Sequence, residues 1–249
     1  MMAFTIAGRE LRTMFLSPLA WVILGVIQII LALLFLMLLD QYVNNILPRF
    51  AGYEQMPGVT DFIVTGLFQN AGIILLMVTP LLTMRLISEE RRNRTLSLLF
   101  TAPVSMTEIV LGKYLGVLAF LLIMVGILTL MPLSLLAGGG LDFGKLAACV
   151  LALCLLIAGF AALGLFISAL TNQPTVAAIS TFGALLLLWI INWSRSGAGG
   201  VLEYLSMLHH YDRLLTGFIS SEDLIYFILF ILAFMVMSIH VLDNERLQK

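Results

Sequence analysis

The stretch "ISEERRNRTLSLLFTAPVSMTEIVLGKYLG", Ile87–Gly116, carries seven charges between two long apolar runs. The chain around it has 249 residues, 61% hydrophobic and only 11% charged. A soluble domain is about half apolar and about a quarter charged, so composition alone points to a membrane protein. The block therefore raises a question of placement: a chain this apolar keeps one well-patterned polar segment, and keeps it there.

Working outward, a helix needs about 20 apolar residues to cross a bilayer. Six runs meet that length: Leu19–Leu39, Phe62–Met84, Tyr114–Ala137, Leu146–Leu170, Thr175–Trp193 and Leu224–Leu242. None contains Asp, Glu, Lys or Arg, and none is a short alternating strand of the outer-membrane barrel kind. The expected fold is all-α and integral to the membrane, with residues 1–249 forming one transmembrane domain of six helices.

Basic residues orient such a chain, because Lys and Arg accumulate on the cytoplasmic side. With both termini inside, nine of the 13 basic residues fall there: Arg9, Arg12, Arg85, Arg91, Arg92, Arg94, Lys113, Arg246 and Lys249. Arg49, Lys145, Arg195 and Arg213 fall outside. The polar block is then cytoplasmic. The first apolar run exceeds a signal-peptide core and lacks a small-x-small site after it, so a retained N-terminus is expected.

The first 16 residues are amphipathic, with Phe4, Ala7, Leu11 and Met14 or Phe15 at helical spacing. They read as a helix lying in the inner interface, followed by Ser17-Pro18 as N-cap and first position of span one. Within the polar block, Glu89/Arg92 and Glu90/Arg94 are three and four apart in the favourable acid-first order, which predicts a helical extension of span two. Leu96, Leu99 and Phe100 then share one face of a short helix. Pro103 stops it, and Ser105-x-x-Glu108 is a capping box that starts the helix of span three. A short helix showing Leu, Leu and Phe suits either a lipid surface or a groove on another protein.

The run from Glu89-Glu90 through Thr95-Leu96, Leu98-Leu99, Pro103-Val104-Ser105, Glu108-Ile109 and Gly112-Lys113 resembles the block between spans two and three of ABC-2 type permeases. These are the membrane subunits of a class of ATP-driven transporters. "GRELRTMFLSPLAWVILGV" and "HHYDRLLTGFISSEDLIYF" resemble the interfacial helix, first span and outer segment of the gliding-motility-associated branch. The resemblance implies a pair of permease subunits, a homodimer or a pair of paralogues, in a bacterial inner membrane above two cytoplasmic ABC ATPase subunits. It implies that ATP and Mg are bound by the ATPase and that this chain binds no cofactor. Carried over by position, Leu96, Leu99, Phe100 and Thr101 form a coupling helix docked on the ATPase. Glu89, Glu90, Arg92 and Arg94 form the lever joining it to span two. Substrate and direction do not follow. The short outer loops leave room for a periplasmic auxiliary protein.

Other chemistry is sparse. "GGLDFGKL" matches a phosphate loop only at Gly139, Gly144 and Lys145; Leu146 stands where Ser or Thr would bind Mg²⁺, no strand precedes it, and it reads as a turn. Cys149 and Cys154 lie on different helix faces, against a disulfide or a metal site. No basic patch suits nucleic acid. An alternative function is a self-contained secondary transporter, which needs ionisable groups within its spans; their absence from the six runs counts against it. A further alternative is a membrane enzyme using "HHYDR", but that segment has no recognised catalytic spacing. The stretch around it, "VLEYLSMLHHYDRLLTGF", has apolar residues at helical spacing and suits short helices dipping into the outer leaflet. Within it "HHYDR" reads as structural, an outer turn, with His209, His210, Asp212 and Arg213 as candidates for an outer gate or partner contact, and transport that changes between pH 5 and 8 would favour the gate. Small residues Ala161, Gly164 and Ser168 share one face of span four, and Gly112 and Gly116 open span three; both are expected to let helices approach closely within the chain, with a dimer contact as the alternative. Gln28, Gln69, Asn70 and Asn192 are expected to hydrogen-bond between helices, with the lining of a substrate path as the alternative.

Overall fold

Backbone N–H and C=O groups in hydrocarbon must be satisfied within the chain, so the long apolar runs fold as helices. The computed structural model describes residues 2–49, 58–94, 105–138, 140–190 and 206–247, which are helical with no strand. In chain order the elements are α1 (Met2–Leu16), α2 (Pro18–Gln41, continuing through a π-helical turn at Tyr42–Ile46 to Arg49), α3 (Thr65–Thr83, entered by a π-helical turn at Thr60–Val64) and α4 (Ser88–Arg92). They are followed by α5 (Met106–Leu133), α6 (Phe143–Leu170), α7 (Pro174–Ile190), α8 (Met207–Leu215) and α9 (Ser221–Leu247).

Among the described residues, five helical stretches are long and apolar enough to cross a membrane: Pro18–Arg49, Thr60–Arg92, Met106–Leu136, Phe143–Leu170 and Ser221–Arg246. The fifth apolar run of the sequence, Thr175–Trp193, is described as the 17-residue helix α7, below the usual crossing length. The remainder of that run lies outside the described residues.

Two helix starts follow the sequence signals. Ser17 is an extended N-cap with Pro18 at the first helical position of α2. Ser105 caps α5 as a true capping box: its Oγ accepts from the Glu108 N–H at 3.3 Å, and its own N–H reaches Glu108 Oε2 at 3.4 Å. Asp142 caps α6 by accepting from the N–H groups of Gly144 (2.9 Å) and Lys145 (3.3 Å). Lys145 pairs with Asp61. Gly144 and Lys145 thus serve a helix start, as the turn reading of "GGLDFGKL" expects.

The central helix is α6, buried along most of its length and packed against α3, α5, α7, α8 and α9. Its small-residue face decides how closely α3 can approach. A Cβ on Gly164 would stand 2.3 Å from Thr83 Oγ1. One turn on, Ser168 Oγ accepts from the backbone N–H groups of Ile87 (3.1 Å) and Ser88 (3.2 Å) and donates to Met84 O at 3.2 Å. Those groups belong to a break at Met84–Ile87, where α3 stops and α4 begins. The extension of span two is therefore interrupted rather than continuous. Thr79 and Thr83 satisfy their hydroxyls by donating to carbonyls four residues back.

The glycines of α5 serve α1. A Cβ on Gly112 would meet Ile6 at 2.7 Å and Ala3 O at 2.9 Å, and one on Gly116 would meet the Glu10 Cβ at 2.7 Å. The packed face of α1 thus runs Ala3, Ile6, Ala7, Glu10 and turns Phe4 outward, 76% exposed. An exposed Phe4 is compatible with an apolar face lying in the interface, while a second face of α1 packs on α5, whose glycines take up Ile6, the Glu10 Cβ and the carbonyls of Ala3 and Ala7. Phe15 locks the far end of α1 against Trp21 and Phe120, with ring centroids 5.6 and 5.3 Å apart. Gln28 Nε2 donates to Met124 O at 2.8 Å, joining α2 to α5. Asn70 instead bonds Gly66 O within its own helix, Gln69 is exposed, and Asn192 lies outside the described residues. Cys149 and Cys154 are free thiols.

Gly164→Ala is expected to lower stability by about 1–3 kcal/mol, because the added methyl overlaps the Thr83 hydroxyl. Thermal unfolding in mild detergent would read this. Thr83→Ala in the same background should recover part of the loss, while Gly126→Ala, where a Cβ meets nothing within 4 Å, should be neutral or stabilising.

Candidate functional site

The polar block enters the described structure from both sides. On one side α4 ends at Arg92, Asn93 caps it, and Arg94 adopts φ 57°. On the other the chain resumes at the Ser105 cap. Leu96, Leu99, Phe100 and Thr101, the candidate coupling-helix residues, lie outside the described residues.

The four lever residues fall into place unevenly. Arg94 stands past the helix end in the left-handed region, so the helical four-apart relation expected with Glu90 does not form. Glu90 Oε1 instead meets Lys113 Nζ at 2.8 Å, and the same ammonium meets Glu10 Oε1 at 2.8 Å. Lys113 is only 3% exposed, on the second turn of α5. One cation thus holds α1, α4 and α5 together at the membrane edge. Glu89 does not pair with Arg92; it lines a cavity with Arg85, and Arg92 faces solvent.

Arg91, which sequence reasoning left without a role, is mostly buried and ties the block to the other half of the chain. It pairs with Glu245 near the end of α9 and donates to Asn172 Oδ1 at 3.4 Å, in the link between α6 and α7. The ends of α1, α3, α5, α6 and α9 therefore gather at one face of the bundle, around α4. Nothing in local spacing gives these partners away, because Lys113 lies 23 residues and Glu245 154 residues from their acid or base.

At the opposite face the "HHYDR" segment is helical, as the apolar spacing of the stretch around it suits, and is not a bare turn. It forms α8, capped by Ser206, whose Oγ accepts from the His209 N–H at 3.3 Å. α8 sinks between helices because glycines admit it. The Tyr211 ring sits where a Cβ on Gly72 would be 3.0 Å away, and the Met207 methyl where a Cβ on Gly159 would be 2.3 Å away. Tyr211 is fully buried and donates from its hydroxyl to Phe68 O at 2.6 Å. His210 Nδ1 lies 2.6 Å from Asp223 Oδ1, and its ring stacks on Tyr226 with centroids 4.1 Å apart. Arg213 reaches the same carboxylate at 3.6 Å and Glu222 at 3.5 Å. His209 and Asp212 are half-buried beside this cluster. Of the four candidates for an outer contact, His210 and Arg213 are thus drawn into the packing of α8 on α9. Among the described residues no group of three His, Cys, Asp or Glu is placed to hold a metal.

Two outcomes follow from these contacts. Lys113→Met should destabilise the protein by about 2–3 kcal/mol, since it leaves two half-buried carboxylates facing each other without their cation. Adding Glu10→Gln and Glu90→Gln should restore most of the loss, read as recovery of the unfolding midpoint. Tyr211→Phe should cost about 1 kcal/mol through the orphaned Phe68 carbonyl, measured the same way.

These contacts bracket a polar connector of the kind the sequence patterns resemble, and the sequence comparison agrees. The profile described as ABC-2 family transporter protein matches residues 39–210, more than two thirds of the chain. A comparison with curated proteins gives no match. The matched region runs from the end of α2 into α8 and takes in the polar block, the Lys113 joint and the central helix. This multi-pass membrane protein belongs to the ABC-2 transporter family.

Proposed function

We propose that the chain is a six-span permease subunit in a bacterial inner membrane, of the gliding-motility-associated branch. Both termini are cytoplasmic, and two such subunits pair above two ATPase subunits that bind ATP and Mg. Residues Leu96, Leu99, Phe100 and Thr101 form the coupling helix. The observation that carries this reading is the joint at Lys113. It braces the segment between Arg94 and Ser105 at its base against α1 and α5, while Arg91 braces it against α9. A push on that segment therefore reaches the ends of most of the helices rather than one. Family membership supports a partner ATPase, and "FLSPLAWV" supports the branch.

The test is copurification from native membranes in mild detergent. The wild-type chain should bring down an ATPase at roughly 1:1 and support ATP hydrolysis. Leu99→Asp with Phe100→Asp should lose the ATPase while remaining inserted. Wild-type ATPase retention by that variant would overturn the docking assignment.

A second reading rests on the His210–Asp223 pair, 3% and 0% exposed. The pair lies outside the apolar runs, at the start of α9, but a buried acid–base pair is the kind of group that carriers use in proton paths. A self-contained carrier predicts uptake driven by a pH gradient in liposomes holding this chain alone. No such uptake, together with ATP-dependent transport once the ATPase is added, decides for the permease.

A further inference from the structure

A cavity of about 240 Å³ lies between α1, the start of α2 and the end of α3. Its polar wall is Glu10, Thr13, Ser17, Arg85 and Glu89, and its apolar wall includes Leu19, Leu81 and Leu82. Glu10 has a partner in Lys113, whose ammonium it shares with Glu90. Arg85 and Glu89 are different. Both are exposed, both line the same cavity, and no ion pair joins them to each other or to another described residue. Opposite charges four residues apart would pair on an intact helix. Here the break at Met84–Ile87 falls between them and holds them apart. The cavity thus offers one uncompensated cation and one uncompensated anion to a single occupant.

We infer that this cavity binds the headgroup of a zwitterionic aminophospholipid, with the phosphate at Arg85 and the ammonium at Glu89. A guanidinium is suited to phosphate oxygens, and a carboxylate complements an ammonium. The cavity is smaller than a site for a drug-sized ligand, which takes about 300–1,000 Å³, so it suits a headgroup whose chains remain in the bilayer. The apolar wall supplies the path for those chains: Leu19 on α2 and Leu81 on α3 are 41% and 45% exposed, and exposed Val22 and Val26 continue from Leu19 along α2. Trp21, 58% exposed with its indole N–H bonded to Phe15 O at 2.8 Å, sits two residues from Leu19. Trp at the headgroup level is the expected interfacial anchor.

Trp21 gives the readout. The full chain carrying Trp189→Phe and Trp193→Phe is reconstituted into mixtures of phosphatidylethanolamine and phosphatidylglycerol, with brominated chains on one lipid at a time. Quenching then reports which lipid lies beside Trp21. Phosphatidylethanolamine should be preferred by about three- to fivefold, the range of one partly exposed ion pair. Glu89→Gln should bring the ratio to about one. Arg85→Gln should weaken retention of phosphatidylethanolamine through detergent washing, read by native mass spectrometry. Both side chains are exposed, so neither change disturbs the packing, and the wild-type ratio is a test on its own. A ratio of one in the wild type, a preference for phosphatidylglycerol, or a ratio unchanged by Glu89→Gln would overturn the assignment. Displacement of the lipid by millimolar free phosphoethanolamine would also overturn it, in favour of a soluble ligand.

Discussion

A helix that breaks at the edge of a membrane exposes backbone groups where water is scarce, and each buried orphan costs about 1–3 kcal/mol. Here the break is at Met84–Ile87, and a hydroxyl from another helix bridges it, joined by Ser88 Oγ, which also donates to Met84 O, and by the turn bond from the Leu86 N–H to Thr83 O. Ser168 Oγ takes two N–H groups and gives its proton to Met84 O. That arrangement works only if α6 lies almost against the backbone of α3, which Gly164 permits one turn earlier. The break then sets the direction of α4, which aims Glu90 at Lys113 and Arg91 at Glu245. It also separates Arg85 from Glu89. The polar block is arranged as it is because one serine and one glycine on α6 hold a broken helix in place.

Hydrocarbon supplies no hydrophobic drive between helices, so association rests on close packing and a few hydrogen bonds. The chain follows that rule at three crossings. Gly112 and Gly116 admit α1, Gly164 admits the end of α3, and Gly72 and Gly159 admit α8. Polar contacts are placed where such crossings end. Lys113 follows Gly112, Ser168 follows Gly164 by a turn, and the Tyr211 hydroxyl reaches Phe68 beside Gly72. Close approach comes first, and the polar contact then fixes rotation and register.

Features set by neighbouring residues were legible in the sequence. The Ser17-Pro18 start and the Ser105/Glu108 capping box depend on a few adjacent positions, and both form as read. The membrane class and the small-residue face of α6 depend on composition and period, and these too were visible. The partners were not. The spacing of Glu90 and Arg94 describes a helix that ends at Arg92, and no Gly or Pro within Met84–Ile87 announces the interruption. Phe4 fits a helical stripe, yet the residues of α1 that meet the glycines of α5 are Ala3, Ile6, Ala7 and Glu10. The apolar spacing around "HHYDR" suits a short helix, and α8 forms with Met207, Tyr211 and Leu214 buried; its partners Gly72 and Gly159 lie on two other helices. In each case the deciding residue sits on another helix, outside any window over which a period can be read.

The Arg91–Glu245 pair bears on how the protein is made. Its two members are separated by 154 positions, so the joint around α4 stays incomplete until α9 has been synthesised and is in place. A chain in which α9 is missing or fails to insert carries at that joint a guanidinium lacking its carboxylate. Arrival of α9 is thereby recorded at the same joint that braces the polar block. A truncated copy lacks that brace, and the defect lies at a surface where proteases and chaperones triage unfinished chains.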